Sequence, residues 1–303
     1  MKNKQTFFAV IAAILAQVIF GFSFLFTKIC LNTSSALVVI ANRYLVAFIG
    51  LTLVMVITKT KFRVKRHIWK LLLMAMFQPI VYFLCETYGI QMTTSSFSAV
   101  MIAMIPIVAM IGGIFFLGEK PGFWQYVFAF LSTGGVILIA VTGVSEGSVL
   151  PLGILLLFFA VIASAGYNII SRLISKEFSV LERTYAMTLV GFISFTFLAF
   201  FENVSNPILL LSSFSSLAYT GGIFYLGIVS SVIAFLCLNY ANTYLPVSKT
   251  TIFSNLTTVV SVIAGIFVLH EPFSPYALMG TVMIIFGVIG VQILQVKESG
   301  GRD

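Results

Sequence analysis

The sequence predicts an all-α integral membrane protein of ten transmembrane helices, arranged as two inverted five-helix repeats with both termini cytoplasmic. Three observations carry this expectation. Of the 303 residues, 60% are hydrophobic and 9% charged, too little polar surface to cover a soluble globule of this size. About ten apolar stretches of bilayer-spanning length divide the chain, and threading them from a cytoplasmic Met1 puts all 17 Lys and Arg residues on that side except Lys28 and Arg43. Such a bias over short loops is the main orientation signal in a membrane sequence. Finally, segments recur at a shift of 152 residues: Gly113–Glu119 with Gly265–Glu271, Tyr88 with Tyr240, Ser96 with Ser248, and Gly135–Ile137 with Gly287–Ile289. A repeated unit holding an odd number of spans must lie upside down relative to its copy.

The spans are read at 7–29, 35–57, 69–90, 95–117, 123–143, 150–173, 183–202, 215–238, 246–268 and 274–295, dividing the chain into repeats 1–143 and 144–303. All are helices, because irregular backbone facing lipid leaves its polar groups unsatisfied. The first span follows Lys2 and Lys4 and is too long, with no small-residue cleavage site, for a removable signal peptide. The second ends in the basic connection Lys59 to Lys70. Trp69 and Trp124 open the third and fifth spans at the inner interface, where an indole keeps its N–H hydrated. Pro79 and Pro106 kink the third and fourth spans. Ala109 and Gly113 on the fourth span, and Ser261 and Gly265 on the ninth, are small-residue pairs that let backbones approach closely. Arg172, Lys176 and Arg183 flank the connection after the sixth span, Lys249 lies at the inner end of the ninth, and Lys297 and Arg302 close the tail.

Several function classes are excluded by composition and motif. The net charge of +8 is accounted for by topology and anionic headgroups, and no nucleic-acid recognition module accompanies it. Cys30, Cys85 and Cys237 are odd in number and sit in or beside apolar spans, so they read as core thiols. His67 and His270 have no ligand spacing with other donors, so neither a metal nor a cofactor is expected. The chain's single Asp is Asp303; HExxH and Walker A sequences are absent, which argues against an intramembrane enzyme and against ATP coupling. The connections are too short to hold a soluble domain, so any activity resides in the bundle. The competing reading, a membrane scaffold or receptor-like protein, would be packed shut at its centre, whereas a carrier would hold a polar chamber.

The five-span unit ending in Leu117–Glu119 and Leu269–Glu271, Pro106 in the fourth span, Phe20 and Gly21 in the first and Arg43 in the second together resemble the EamA-type, ten-helix branch of the drug/metabolite transporter superfamily. The resemblance implies a secondary transporter, often an exporter, of amino acids or related small metabolites, working by alternating access around a midplane cavity. It also implies a multi-pass cell-membrane protein, bacterial inner-membrane in kind, monomeric or a weak homodimer, whose partners are the lipid bilayer and a small-molecule substrate. Thr258 stands where Pro106 stands in the first copy, and His270 where Gly118 does, so the halves are not expected to move identically.

Ionisable groups inside a membrane are expensive and usually functional. Glu86, in the outer half of the third span, and Arg43, in the outer half of the second, stand out. Gln78, Tyr82 and Glu86 recur every four residues and share one helical face. The 152 shift maps them onto Ser230, Ala234 and Leu238, so the third span is expected to supply most of the site's polarity. Glu86 reads as a proton carrier or as a partner for a cationic substrate group, and alternatively as half of a structural ion pair with Arg43. Gln17, Gly21, Phe24 and Lys28 share a face of the first span, with Lys28 expected to snorkel to the headgroups. Tyr167 and Asn168 in the sixth span, and Thr251, Asn255 and Thr258 in the ninth, are further candidates to line the cavity. Glu119 and Glu271 precede spans five and ten, where each would face the positive pole of that helix in a structural role.

Overall fold

A computed structural model describes residues 2–59, 67–108, 111, 122–145, 149–245, 250, 253–271 and 274–300. Among the described residues, six helices are long and apolar enough to cross a membrane: α1 (Lys2–Leu31), α2 (Ala36–Ile57), α3 (Ile68–Gln91), α6 (Pro151–Leu173), α7 (Val180–Glu202) and α8 (Leu217–Tyr244). Four further apolar helices among the described residues are α4 (Ser95–Val108), α5 (Phe123–Ser145), α9 (Ser254–Val268) and α10 (Pro275–Gly300).

Local sequence explains where these helices begin and bend. Ser35 accepts from the Val38 amide at the start of α2, and Ser179 forms a reciprocal capping box with Glu182 at the start of α7, each satisfying amides that a first turn leaves free. Ser35 and Ser179 are 144 residues apart. The first two helices of each copy therefore align at a shift of 144, not the 152 that relates the rest. Pro151 opens α6 at a position that needs no N–H. α3 breaks regular geometry at Met76–Val81, where Gln78 turns to φ −145°, ψ 114° before Pro79. α8 widens at Tyr225–Ala234, the matching stretch of the second copy, without a proline.

Like helices meet like. α2 packs on α7, α4 on α9, and α5 on α10, while α1 crosses to α8 and α9 and α6 crosses to α3 and α4. The small residues on α9 bring it against α4: Ser261 lies 3.3 Å from Ser95, and a side chain at Gly265 would collide with Ser96 and Glu271. Ala109 and Gly113, the pair on the fourth span, lie outside the described residues. The outward faces carry Val56, Ile57, Phe130, Phe267 and Phe286, all well exposed, as suits surface turned toward acyl chains.

Candidate functional site

Helices α1, α2, α3, α4, α6, α8 and α9 surround a central cavity lined by polar and aromatic side chains. Its polar wall includes Gln17, Arg43, Gln78, Tyr82, Glu86 and Asn168 from the sequence-predicted set, and Phe24 lines it as well. Gln78 is brought in by the wide turn at Pro79, so the face holds although the helix is not regular there. Tyr82 donates to Glu86 Oε1 at 3.1 Å, while Glu86 Oε2 and Gln78 Oε1 are buried without a partner.

Arg43 and Glu86 share this cavity without pairing directly. The guanidinium donates from Nε to Ser231 at 2.7 Å and from Nη2 to Ser230 at 2.9 Å, and stacks 4.2 Å above the Phe83 ring. The structural ion pair read from sequence is therefore replaced by a cation held across the two repeats by serines. Ser230 is the residue at the repeat position of Gln78.

Polarity is spread more widely than the third span alone. The second copy supplies Ser164 and Asn168 from α6, Ser254 and Thr257 from α9, and Thr250 just before α9. Among the described residues of the ninth span, Thr257 lines the cavity where the sequence pointed to Thr258. Thr258 turns away to donate to the Ala99 carbonyl of α4 at 3.1 Å, Thr251 lies outside the described residues, and so does the side chain of Asn255. One residue of slip rotates a helical face by about 100°. Tyr167 stands behind the wall, its hydroxyl donating to Asn239 Oδ1 at 3.0 Å.

The cavity wall is symmetric in frame and asymmetric in chemistry. The shift of 144 pairs Phe20 with Ser164 and Phe24 with Asn168; the shift of 152 pairs Ile102 with Ser254, Ile105 with Thr257, Phe83 with Phe235 and Glu86 with Leu238, and all of these line the same space. In five of these six pairs one copy presents a polar group and the other an apolar one, and the sixth pairs two phenylalanines. Sequence reasoning missed Phe20, Ser23, Phe83, Ile102, Ile105 and Phe235, because the chain has 31 Phe and nothing local separates a cavity phenylalanine from a lipid-facing one. Repeat alignment to the polar members was the signal that could have found them.

Two further expectations are corrected at the ends of the helices. Lys28 does not reach for headgroups but donates to the Ile90 and Thr93 carbonyls at the end of α3, at 2.8 and 2.5 Å, since buried carbonyls at a helix end draw a nearby cation. Glu271 does not serve α10, whose first turn opens on Pro275. Its carboxylate instead accepts from the Ser95 and Ser96 amides at 2.6 and 2.9 Å, and from the Ser96 hydroxyl at 2.6 Å, at the start of α4. Glu119 lies outside the described residues.

Comparison with known proteins agrees with this architecture. The EamA-like transporter family matches twice, over residues 7–141 and 151–293. A protein of Bacillus subtilis (strain 168) described as "Uncharacterized transporter YcxC" is 32% identical over 99% of this chain and 97% of its own length, and "Uncharacterized transporter YetK" of the same organism is 25% identical over 97% and 89%. A crystal structure at 13% identity superposes over 96% of this chain and 98% of its own with a TM-score of 0.67, a likeness of fold. With its repeated family match and its apolar helices, the chain is a multi-pass cell-membrane protein that belongs to the EamA-like transporter family.

Proposed function

We propose that this protein is a secondary transporter, working as an exporter of small amphipathic metabolites of the amino-acid kind, by alternating access between two inverted five-helix repeats with both termini cytoplasmic. The observation that carries the reading is the cavity itself. It is central and built from both repeats, and it holds a buried carboxylate and a buried guanidinium that hydrogen-bond to other groups and not to each other. A substrate ammonium fits the unpartnered Glu86 Oε2 and Gln78 Oε1, a substrate carboxylate fits Arg43, and an apolar side chain fits Phe20, Phe24 and Phe83. Like-with-like packing of α2, α4 and α5 on α7, α9 and α10 supports an axis relating the halves. In this reading Glu86 couples flux to protons by alternating between substrate and proton.

The test is a ligand-stabilisation screen on purified protein, followed by flux of each hit in vesicles. A compound present at 100 times its dissociation constant stabilises the native state by about 2.7 kcal/mol, and Glu86→Gln is expected to remove that stabilisation. A hit that stabilises both proteins equally at every pH removes Glu86 from the site.

A further inference from the structure

Two cations outside the cavity wall make the same bond twice. Lys28, near the end of α1, donates from Nζ to the carbonyls of Ile90 and Thr93 at the end of α3, at 2.8 and 2.5 Å. Arg172, near the end of α6, donates from Nη1 to the Asn242 carbonyl at 2.9 Å and to that of Thr243 at the end of α8. The shift of 144 carries Lys28 onto Arg172, and the shift of 152 carries Ile90 onto Asn242. In each case the cation fills carbonyls that a last helical turn leaves unsatisfied, at the negative pole of the helix.

Neither bond lies inside one packed group. α1 packs on α8 and α9, and α6 packs on α3 and α4. Lys28 therefore ties the pair formed by α1 and α8 to the end of α3, and Arg172 ties the pair formed by α6 and α3 to the end of α8. The cavity lies between these two groups. Each bond also has a neighbour that spans the same seam. Beside Lys28, Glu271 beyond α9 grips the start of α4. Beside Arg172, the fully buried Arg183 of α7 bridges α6 and α8, donating to the Ser171 carbonyl at 2.9 Å and to the Asn239 carbonyl at 3.0 Å.

We propose that Lys28 and Arg172 are paired latches, one at each face of the membrane, and that opening one while the other holds exposes the cavity to one side at a time. This rests on the inverted-repeat carrier reading above. Inversion puts the ends of α3 and α8 on opposite faces, so each cation closes its own side, and both latches are formed here.

The test reads accessibility rather than transport. Ser164→Cys places a thiol in the cavity wall, and its reaction with a membrane-impermeant maleimide is measured from each face in right-side-out and inverted vesicles, against the same protein without that substitution. Lys28→Ala is expected to raise labelling severalfold from the Lys28 face alone, and Arg172→Ala from the opposite face alone. Lys28→Arg and Arg172→Lys are expected to keep parental labelling. Should an alanine variant fail to fold, Lys28→Met and Arg172→Gln carry the same expectation. Folded variants whose labelling is unchanged, or rises equally from both faces, overturn the latches; if flux persists in them, the carrier reading survives. A reporter that reacts from neither face in any form, in a protein without flux, overturns the carrier reading and the latches with it.

Discussion

Arg43 is a cation only 3% exposed, and what holds it is neutral. Ser231 and Ser230 take its Nε and Nη2 hydrogens respectively and Phe83 covers its face, so the guanidinium is held in place by uncharged partners. A hydrogen bond to a charged group contributes about 1.5 to 3 kcal/mol. Ser230→Ala and Ser231→Ala are each expected to lower the unfolding free energy in detergent by about that amount, and thermal unfolding measures it; wild-type stability in the double variant would show that the serines do not hold the guanidinium. Arg43→Lys is no substitute, because one ammonium cannot span two serines and stack on a ring. Outside the spans, Glu177 accepts from Lys70 and lies 3.2 Å from His67 Nδ1. The Lys70 hydrogen bond holds the Glu177 carboxyl below the usual carboxylate range. With the folded value below the unfolded one, this contact supports the fold at neutral pH and is lost as pH falls through the depressed value. The difference in melting temperature between wild type and Glu177→Gln is therefore expected to be constant from pH 7 to about 5 and to shrink below about 4. Arg43 and Glu86 were legible in the sequence because charges inside apolar spans are rare; their missing ion pair was not, since it depends on where two serines from the other repeat arrive.

At the scale of the element, close approach is set by glycine, and two positions separate cause from coincidence. A Cβ at Gly21 of α1 would lie 2.6 Å from Val260 Cβ and 3.0 Å from the Thr257 carbonyl of α9, whereas at Gly221 of α8 a Cβ would meet nothing within 4 Å. Overpacking of this kind costs about 1 to 3 kcal/mol. Gly21→Ala is expected to destabilise by that order, and Gly221→Ala to be neutral or to stabilise by up to about 1 kcal/mol through reduced backbone entropy. Equal effects in thermal unfolding would mean that α1 does not rest on α9 as closely as described. Helix existence and order were legible here, because long apolar runs admit little else in lipid. Helix phase was less so. The ninth span, read as one unbroken helix, pointed to Thr251, Asn255 and Thr258, yet α9 begins at Ser254 and presents Ser254 and Thr257. The capping role of Glu271 was hidden for a related reason: its partner amides lie 175 residues away, at the start of α4.

Across the whole molecule, one frame used twice carries two different linings. Duplication was readable from the 152 shift, but the 144 shift of the opening helices appeared only once Ser35 and Ser179 were seen as matching caps. Only both shifts together show that polar and apolar residues face one another across the cavity. In the proposed carrier, that distribution would fix a substrate in a single orientation, because a pseudo-symmetric chamber with symmetric chemistry would accept it either way round. The frame supplies the place for a carboxylate at Leu238 as well as at Glu86, but only Glu86 has Tyr82 beside it; the repeat positions of Tyr82 and Arg43 hold Ala234 and Met187. Glu86→Leu is therefore expected to abolish ligand-induced stabilisation, and adding Leu238→Glu should not restore it, since an acid there meets neither the hydroxyl nor the array of acceptors that orients an ammonium. Melting curves of the two variants with a validated ligand decide the matter. Recovery in the double variant would mean that the cavity reads the presence of a charge and not its place, and that the asymmetry of the lining is incidental to recognition.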